Sequence, residues 1–463
     1  MLSSIAENTT IVALSTAQGV GAIGVIRLSG PKAIEICNKV FKGKDLLKQA
    51  SHTLHFGKIA DEKRVLDEVV VSLFVAPSSY TGENTVEISC HGSPYILKST
   101  IELLIKNGAT AANPGEFTLR AFLNGKLDLT QAEAVGDLIA SNSESAHKIA
   151  MNQMRGGISN EIKRLREELI HFASMIELEL DFSEEDVEFA NRDELKDLII
   201  KVQKVLHQLI ETFALGNAIK EGIPVVIAGK PNAGKSTLLN TLLNEERALV
   251  TEIEGTTRDS IEDELNIGGT IFRFIDTAGI RQTEDVVEAL GVKRTLEKIE
   301  SAAIVLLIVD LNNTTPALLK ETIVEINDSL QKNKAKLVII GNKVDLKNLA
   351  EAKAQFAEFE NLHFISAKEK WNIEELKESL KETAQLHILN QDETLVSNTR
   401  HWEALTKANV ALQTALTGID NGLTGDFIAM DIRASLHQLG LITGEITTDD
   451  LLGNIFSKFC IGK

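Results

Sequence analysis

The chain has 463 residues, 43% hydrophobic and 25% charged. At ~150 residues per domain that length points to about three domains, and the balance excludes disordered, collagen-like and coiled-coil classes. A formal charge of -18 excludes capture of nucleic acid by bulk charge, so an RNA substrate would need a local patch or a partner. The longest clean apolar run, Ala302 to Val309, is far below the ~20 residues of a membrane-spanning helix. MLSSIAENTT at the start lacks the basic and apolar regions of a signal peptide, so a cytoplasmic protein without a membrane segment is expected. Cys37, Cys90 and Cys460 have no CxxC spacing, which argues against a disulfide framework or a zinc knuckle.

Taken in chain order, the first ~125 residues alternate like short strands at Ile11–Leu14, Val25–Leu28, Val69–Val75 and Thr85–Ser89. Turn residues bound them, and a small α+β domain with one or two helices is predicted. Gly19-Val20-Gly21-Ala22-Ile23-Gly24 fits GxGxxG, but a dinucleotide fingerprint must open a helix, and this run leads into strand-like Val25–Leu28. From Thr130 the pattern becomes helical, with Thr130-Gln131-Ala132-Glu133 read as a capping box. Ile158, Ile162, Leu165, Leu169, Phe172, Ile176 and Leu180 form one apolar helix face. Leu195, Leu198, Ile199, Val202, Val205, Leu206 and Leu209 form another, so long helices are expected over roughly 127–215. The acidic stretch Glu177–Asp197 reads as a solvated helix end and loop. Between ~219 and ~384, strand candidates Ile223–Ala228, Thr270–Ile275, Ala303–Val309, Lys336–Ile340 and Leu362–Ile365 alternate with helices, the signature of a parallel sheet covered on both faces. From ~386 the chain is helical again, including Asp431–Leu439 and Asp450–Phe459. An α/β domain inserted into a discontinuous helical domain is therefore predicted, with parts at 1–125, 126–218, 219–384 and 385–463.

Gly229-Lys230-Pro231-Asn232-Ala233-Gly234-Lys235-Ser236 matches GxxxxGK[ST] between a strand and the helical Thr237–Asn244, which is the context a phosphate-binding P-loop needs. Backbone N–H groups and the helix N-terminus favour the anion. Lys235 is placed to reach the β/γ phosphates and Ser236 to hold Mg²⁺, with Thr237 beside them. Asp276-Thr277-Ala278-Gly279 follows the next strand, Asp276 facing the Mg²⁺ sphere and Gly279 the γ-phosphate. Asn342-Lys343-Val344-Asp345 is the NKxD pattern of guanine recognition, in which a carboxylate accepts from N1–H and N2–H₂. Ser366-Ala367-Lys368 resembles the backbone loop that contacts guanine O6. Four motifs in order at strand ends specify a P-loop (Ras-like) GTPase. Switch I is assigned to Thr251-Glu252-Ile253-Glu254-Gly255-Thr256-Thr257, with Thr257 the second Mg²⁺ ligand. Ile280 stands where Ras-like enzymes orient water with Gln, so another group must do so. Asn232 either holds a monovalent cation with switch I carbonyls at Thr251, Ile253 and Thr256, or hydrogen-bonds within its own loop.

Tyr80-Thr81-Gly82-Glu83-Asn84, Asn113-Pro114-Gly115-Glu116-Phe117-Thr118, Gly125-Lys126-Leu127-Asp128-Leu129-Thr130-Gln131-Ala132-Glu133-Ala134 and the terminal Phe459-Cys460-Ile461-Gly462-Lys463 resemble the MnmE (TrmE) family of tRNA modification GTPases along essentially the whole chain. The resemblance implies an N-terminal α+β folate-binding and dimerisation domain, a discontinuous helical domain and an inserted G domain. It implies that a homodimer works with a flavoprotein, MnmG (GidA), to build an aminomethyl-type group on the tRNA wobble uridine from a tetrahydrofolate one-carbon unit. It carries folate contacts onto Arg27, Glu87, Lys126 and Lys463, and K⁺ onto Asn232, Thr251, Ile253 and Thr256. It gives catalytic roles to Lys235, Thr257 and the water-orienting Glu288. Cys460 either joins the modification chemistry or is a packed cysteine at a helix end. The competing function is a GTPase switch in ribosome or ribonucleoprotein assembly without modification chemistry.

Overall fold

The structure is a computed structural model that describes residues 9–62, 64–181, 192–247, 263–275, 299, 302–333, 335–359, 361–384 and 394–462. The chain forms two compact units, one of Met1–Ile139, Met151–Leu206 and Glu403–Lys463, the other of Ala140–Ala150 and His207–Trp402.

In the first unit a seven-stranded sheet has the order β3-β4-β5-β6-β2-β1-β7. Its strands are β1 Ile11–Leu14, β2 Ile23–Ser29, β3 Phe41–Lys42, β4 Thr53–Ala60, β5 Val65–Phe74, β6 Thr85–His91 and β7 Thr110–Ala111. All pairings are antiparallel except β1 with β7. Helices α1 Ala33–Val40 and α2 Pro94–Lys106 cover one face, where Ile26, Leu28, Val69, Val71, Val86 and Ile88 meet Ile36, Cys37 and Leu104. The opposite face is covered at β1, where Ile11 and Ala13 pack with Phe117, and elsewhere leaves apolar residues such as Ile23, Leu54 and Phe56 exposed. That inversion explains why β4 escaped the sequence reading. Leu54 and Phe56 point outward, and His55, Gly57 and Ile59 point inward. The GxGxxG run leads into β2, a strand. A third helix, α3 Glu116–Leu123, exceeds the expected one or two.

The helices that follow are α4 Leu129–Ala140, α5 Glu144–Met154, α6 Gly157–Asp181 and α7 Arg192–Glu221. The cap of α4 corrects the reading at Thr130–Glu133. Gln131 N donates to Asp128 Oδ1 at 3.0 Å and Asp128 N donates to Gln131 Oε1 at 3.0 Å, a reciprocal box two residues earlier. Asp128 also receives Thr130 Oγ1, Lys163 Nζ and Ser159 Oγ. Burial alone would raise its carboxyl, but the hydrogen bonds from Ser159, Thr130, Gln131 and Lys163 hold it below the usual range. On α6, Ile158, Ile162, Leu165, Leu169 and Ile176 are buried as the period predicts, while Ala173 rather than Phe172 completes the stripe. Beyond the α/β segment come α12 Thr399–Asp420, α13 Gly425–Thr443 and α14 Asp449–Phe456. Helices from the two sides of the α/β segment pack together. Arg166 on α6 donates to Leu436 O and pairs with Glu445 at 2.6 Å, and Gln203 on α7 donates to Gln413 on α12 at 3.1 Å. Of the acidic stretch, Glu177 pairs with Arg433 and Lys196 with Asp420; residues 182–191 lie outside the described residues.

In the second unit a six-stranded sheet runs β13-β12-β11-β8-β10-β9. The strands are β8 Ile223–Ala228, β9 Asp263–Ile267, β10 Thr270–Phe274, β11 Ile304–Asp310, β12 Lys336–Asn342 and β13 Leu362–Phe364. Only the β9–β10 pair is antiparallel. Helices α8 Lys235–Arg247 and α11 Ile373–Thr383 bury Leu238, Leu239, Leu242, Leu376 and Leu380 against one face. Helices α9 Pro316–Asn333 and α10 Leu349–Gln355 supply Leu319, Leu330 and Ala352 to the other side. Val225 and Ile227 face the first core while Val226 and Ala228 face the second. A strand buried on both sides is uniformly apolar for this reason.

Candidate functional site

In an open parallel sheet, ligands bind outside the carboxyl ends of the strands where the strand order reverses. Here β8 lies between β11 and β10, and the P-loop leaves its carboxyl end. Asn232 adopts a left-handed φ of 61° and is exposed. Gly234 has φ +104°, and a Cβ there would lie 2.1 Å from Asn342 Nδ2, so only glycine lets the loop approach β12. Lys235 opens α8, and its Nζ donates to Gly229 O at 2.7 Å and Lys230 O at 2.9 Å. Burial pushes its ammonium pKa down; an anion in the loop would reverse that pressure. Ser236 and Thr237 follow on the first turn of α8.

Asn342 ties the loop to the base motifs. Its Nδ2 donates to Ala233 O at 2.8 Å, and its Oδ1 accepts from Ala367 N at 3.0 Å. Both bonds are buried. Lys343 is left-handed, with φ 65°, and sends its side chain back to Asp310 Oδ2 at 2.8 Å. Burial would raise the Asp310 carboxyl, but Lys343 and the amide groups of Asn312 hold it low. Asp345 follows on a short 3-10 turn, Val344–Leu346, half-buried. Ser366, Ala367 and Lys368 leave β13 in a loop closed by reciprocal backbone hydrogen bonds between Ser366 and Trp371. Thr241 of α8 donates from Oγ1 to Ala367 O at 2.8 Å. The P-loop, Asn342–Asp345 and Ser366–Lys368 are thus brought to one edge. Thr251, Glu252, Ile253, Glu254, Gly255, Thr256, Thr257, Asp276, Thr277, Ala278, Gly279, Ile280, Glu288 and Lys463 lie outside the described residues.

Sequence reasoning missed Asp310 and Thr241. The end of the strand run before Asn312 was a usable signal for Asp310. A lone helix threonine offered none.

In the α+β part, Arg27 and Glu87 are cross-strand neighbours on β2 and β6. They form an ion pair at 2.8 Å, on the same sheet face as Phe56 and Val70 by register. The Arg27 guanidinium lies 5.4 Å from the Tyr80 ring centroid and 5.7 Å from that of Phe117. Lys126 is exposed, its side chain beside Gly82. Two of the segments quoted for the resemblance, through Glu83 and Glu116, meet at Arg120, which is fully buried and pairs with both. The terminal segment docks by an antiparallel bridge between Pro114 and Ile461. Cys460 is exposed, not packed; Cys37 and Cys90 are buried, and burial lifts both of those thiols to about 12.

A P-loop at the switch point of a parallel sheet, joined by one buried asparagine to an NKxD strand end, defines a guanine-nucleotide P-loop protein. The family model for the MnmE helical domain matches residues 129–460, and that for the TrmE N-terminus, a GTP-binding protein, matches residues 10–126. The tRNA modification GTPase MnmE of Cytophaga hutchinsonii is 56% identical across 98% of both chains. Those of Christiangramia forsetii and Bacteroides thetaiotaomicron are 55% and 51% identical, each across 98% of this chain and 99% of theirs. The chain belongs to the MnmE family of tRNA modification GTPases.

Proposed function

We propose that the chain hydrolyses GTP to drive modification of tRNA. With a flavoprotein partner of the MnmG (GidA) kind, it would add a (carboxymethyl)aminomethyl group to C5 of the wobble uridine, using a one-carbon unit carried by tetrahydrofolate. The observation that carries the GTP half is the meeting of the P-loop, Asn342 and Ala367 through two buried hydrogen bonds.

The loop fits a polyphosphate. It has a narrow approach that only Gly234 permits, and a lysine ammonium turned into the loop, where its Nζ donates to the Gly229 and Lys230 carbonyls. Ser236 with Thr257 would hold Mg²⁺, which supplies charge neutralisation at the phosphates. Asn232 with Thr251, Ile253 and Thr256 would hold K⁺, and Asp276 and Gly279 would face the metal sphere and the γ-phosphate. Lys235 binds phosphate, Asp345 reads the base, and Glu288 orients the attacking water. In this reading two G domains of a homodimer meet, and the open apolar face around Leu54 and Phe56 supports an N-terminal dimer contact. Arg27 and Glu87 fit a pterin, since a carboxylate accepts ring N–H donors and the neighbouring Tyr80 and Phe117 rings offer apolar planes. Lys126 and Lys463 would pair with the carboxylates of a folate tail. The four-part division at residues 125, 218 and 384 belongs to the same reading, as does a cytoplasmic location. No described helix is long and apolar enough to cross a membrane.

The test has two arms. Hydrolysis of GTP should run much faster in K⁺ than in Na⁺, and mass spectrometry of tRNA from cells lacking the chain should show unmodified wobble uridines. Normal wobble nucleosides, with GTP-dependent cosedimentation on ribosomes, would replace this reading with an assembly switch.

A further inference from the structure

We propose that Arg120, acting through Glu116, is a positioning residue for the C-terminal segment Phe459–Gly462, and so for the Cys460 thiol. What the thiol then does rests on the modification reading above; the positioning does not.

The Arg120 side chain has no solvent exposure. A buried guanidinium is tolerated only when well paired. Nη1 donates to Thr9 O at 2.8 Å and to Glu83 at 3.2 Å, while Nη2 donates to Thr9 Oγ1 and Glu116 Oε1, each at 2.8 Å. The two carboxylates do different work. Glu83 is also bound by Ser29 Oγ at 2.7 Å, so it anchors the guanidinium inside the α+β domain. Glu116 turns its second oxygen outward to the chain, where Oε2 accepts from Asn113 N at 2.8 Å and Asn113 Nδ2 at 3.2 Å. The buried cation thereby sets the conformation of Asn113-Pro114-Gly115.

That turn is the dock. Pro114 bridges to Ile461, and Gly115 N donates to Cys460 O at 3.4 Å. Gly115 is left-handed, and a Cβ on it would sit 2.6 Å from Phe456 O. On the other side Ser15 Oγ donates to Gly462 O at 3.2 Å, and a Cβ on Gly462 would sit 2.0 Å from Leu14 O. Phe459 packs beside Gly136 and Phe456. The tail is held by few and long polar contacts, so its place depends on a dock that is already formed. The cost of ordering the tail falls when its partner is rigid. Without Glu116 the guanidinium keeps Glu83, so the fold has a reason to survive while the turn loses its acceptor.

The experiment uses the full chain carrying Glu116→Gln. A neutral amide keeps the shape but cannot accept at both oxygens. Hydrogen exchange is read on the C-terminal peptide. Cys37 and Cys90, tested with a thiol reagent, report whether the domain stays folded. The expected result is about tenfold faster exchange in the tail, equivalent to about 1.4 kcal/mol. Cys37 and Cys90 should stay protected, GTP hydrolysis should be unchanged, and kcat for wobble modification should fall without a change in KM for tRNA. Gly462→Ala, which leaves the Arg120 cluster intact and pushes the tail off from the other side, should give the same pattern even if Glu116→Gln fails to fold. Wild-type tail exchange in Glu116→Gln with protected Cys37 and Cys90 would overturn the positioning, as would Gly462→Ala with an undisturbed tail. A loosened tail with normal modification would support the positioning and overturn the reading that gives Cys460 a part in the chemistry.

Discussion

Asn342→Ala is the sharpest perturbation of the nucleotide site. The residue is 3% exposed, and its side chain makes two buried hydrogen bonds, one to the P-loop at Ala233 O and one from the guanine loop at Ala367 N. Truncation leaves a carbonyl and an amide buried without partners, each costing about 1–3 kcal/mol. Taking the middle of that range for the donor and the low end for the carbonyl gives about 3 kcal/mol. For domains of roughly 150–250 residues, each kcal/mol lowers Tm by about 2–4 °C, so a fall of about 6–12 °C is expected in the transition of the nucleotide-binding unit. The same loss frees the P-loop from the guanine loop, and GDP affinity should drop more than tenfold. Differential scanning calorimetry and titration with a fluorescent guanine nucleotide measure both. A Tm within 2 °C of the parent together with unaltered GDP affinity would refute the claim that this side chain couples the loops.

Three further outcomes follow from the same geometry. Asp345→Asn should lose affinity for GTP and gain it for xanthosine triphosphate, whose C2 carbonyl replaces the exocyclic amine as the group facing the side chain; a competition titration reads the change. Asp310→Asn removes the charge that holds Lys343. Because the folded carboxyl is depressed, its stabilisation is present above the ordinary carboxylate range and disappears as pH falls through the lower folded value, so the parent should be the more stable at neutral pH and the two should converge in acid urea melts. Asp128→Ala removes the acceptor for Ser159, Thr130, Gln131 and Lys163 and should destabilise the first unit by about 1–2 kcal/mol, the usual value of an N-cap. A loss below a few tenths would show that the reciprocal bond with Gln131 is dispensable.

The nucleotide motifs were legible because each is a short contiguous stretch placed on a strand end that its own apolar run announces. The same logic found every strand of the second unit except β9, whose sequence Asp263–Ile267 carries too few apolar residues to stand out. It failed where solvent and core exchange places. The outward Leu54 and Phe56 of β4 hide a strand whose inner face is His55, Gly57 and Ile59. At α4 both Asp128 and Thr130 precede a polar residue at capping-box spacing, and only the paired distances between Asp128 and Gln131 identify the cap.

The amino-acid sequence alone determined the class of ligand. A phosphate loop works through glycine torsions and backbone amides of neighbouring residues, so its chemistry is written locally. Tertiary structure decided which side chains serve those motifs from afar. Lys343 meets Asp310 across 33 positions, Arg120 meets Thr9 across 111, and Gly462 meets Ser15 across 447. No periodicity links such positions. Their pairing exists only after the sheets have packed and excluded water, when a buried charge or amide must take whichever partner the fold has brought within hydrogen-bonding reach.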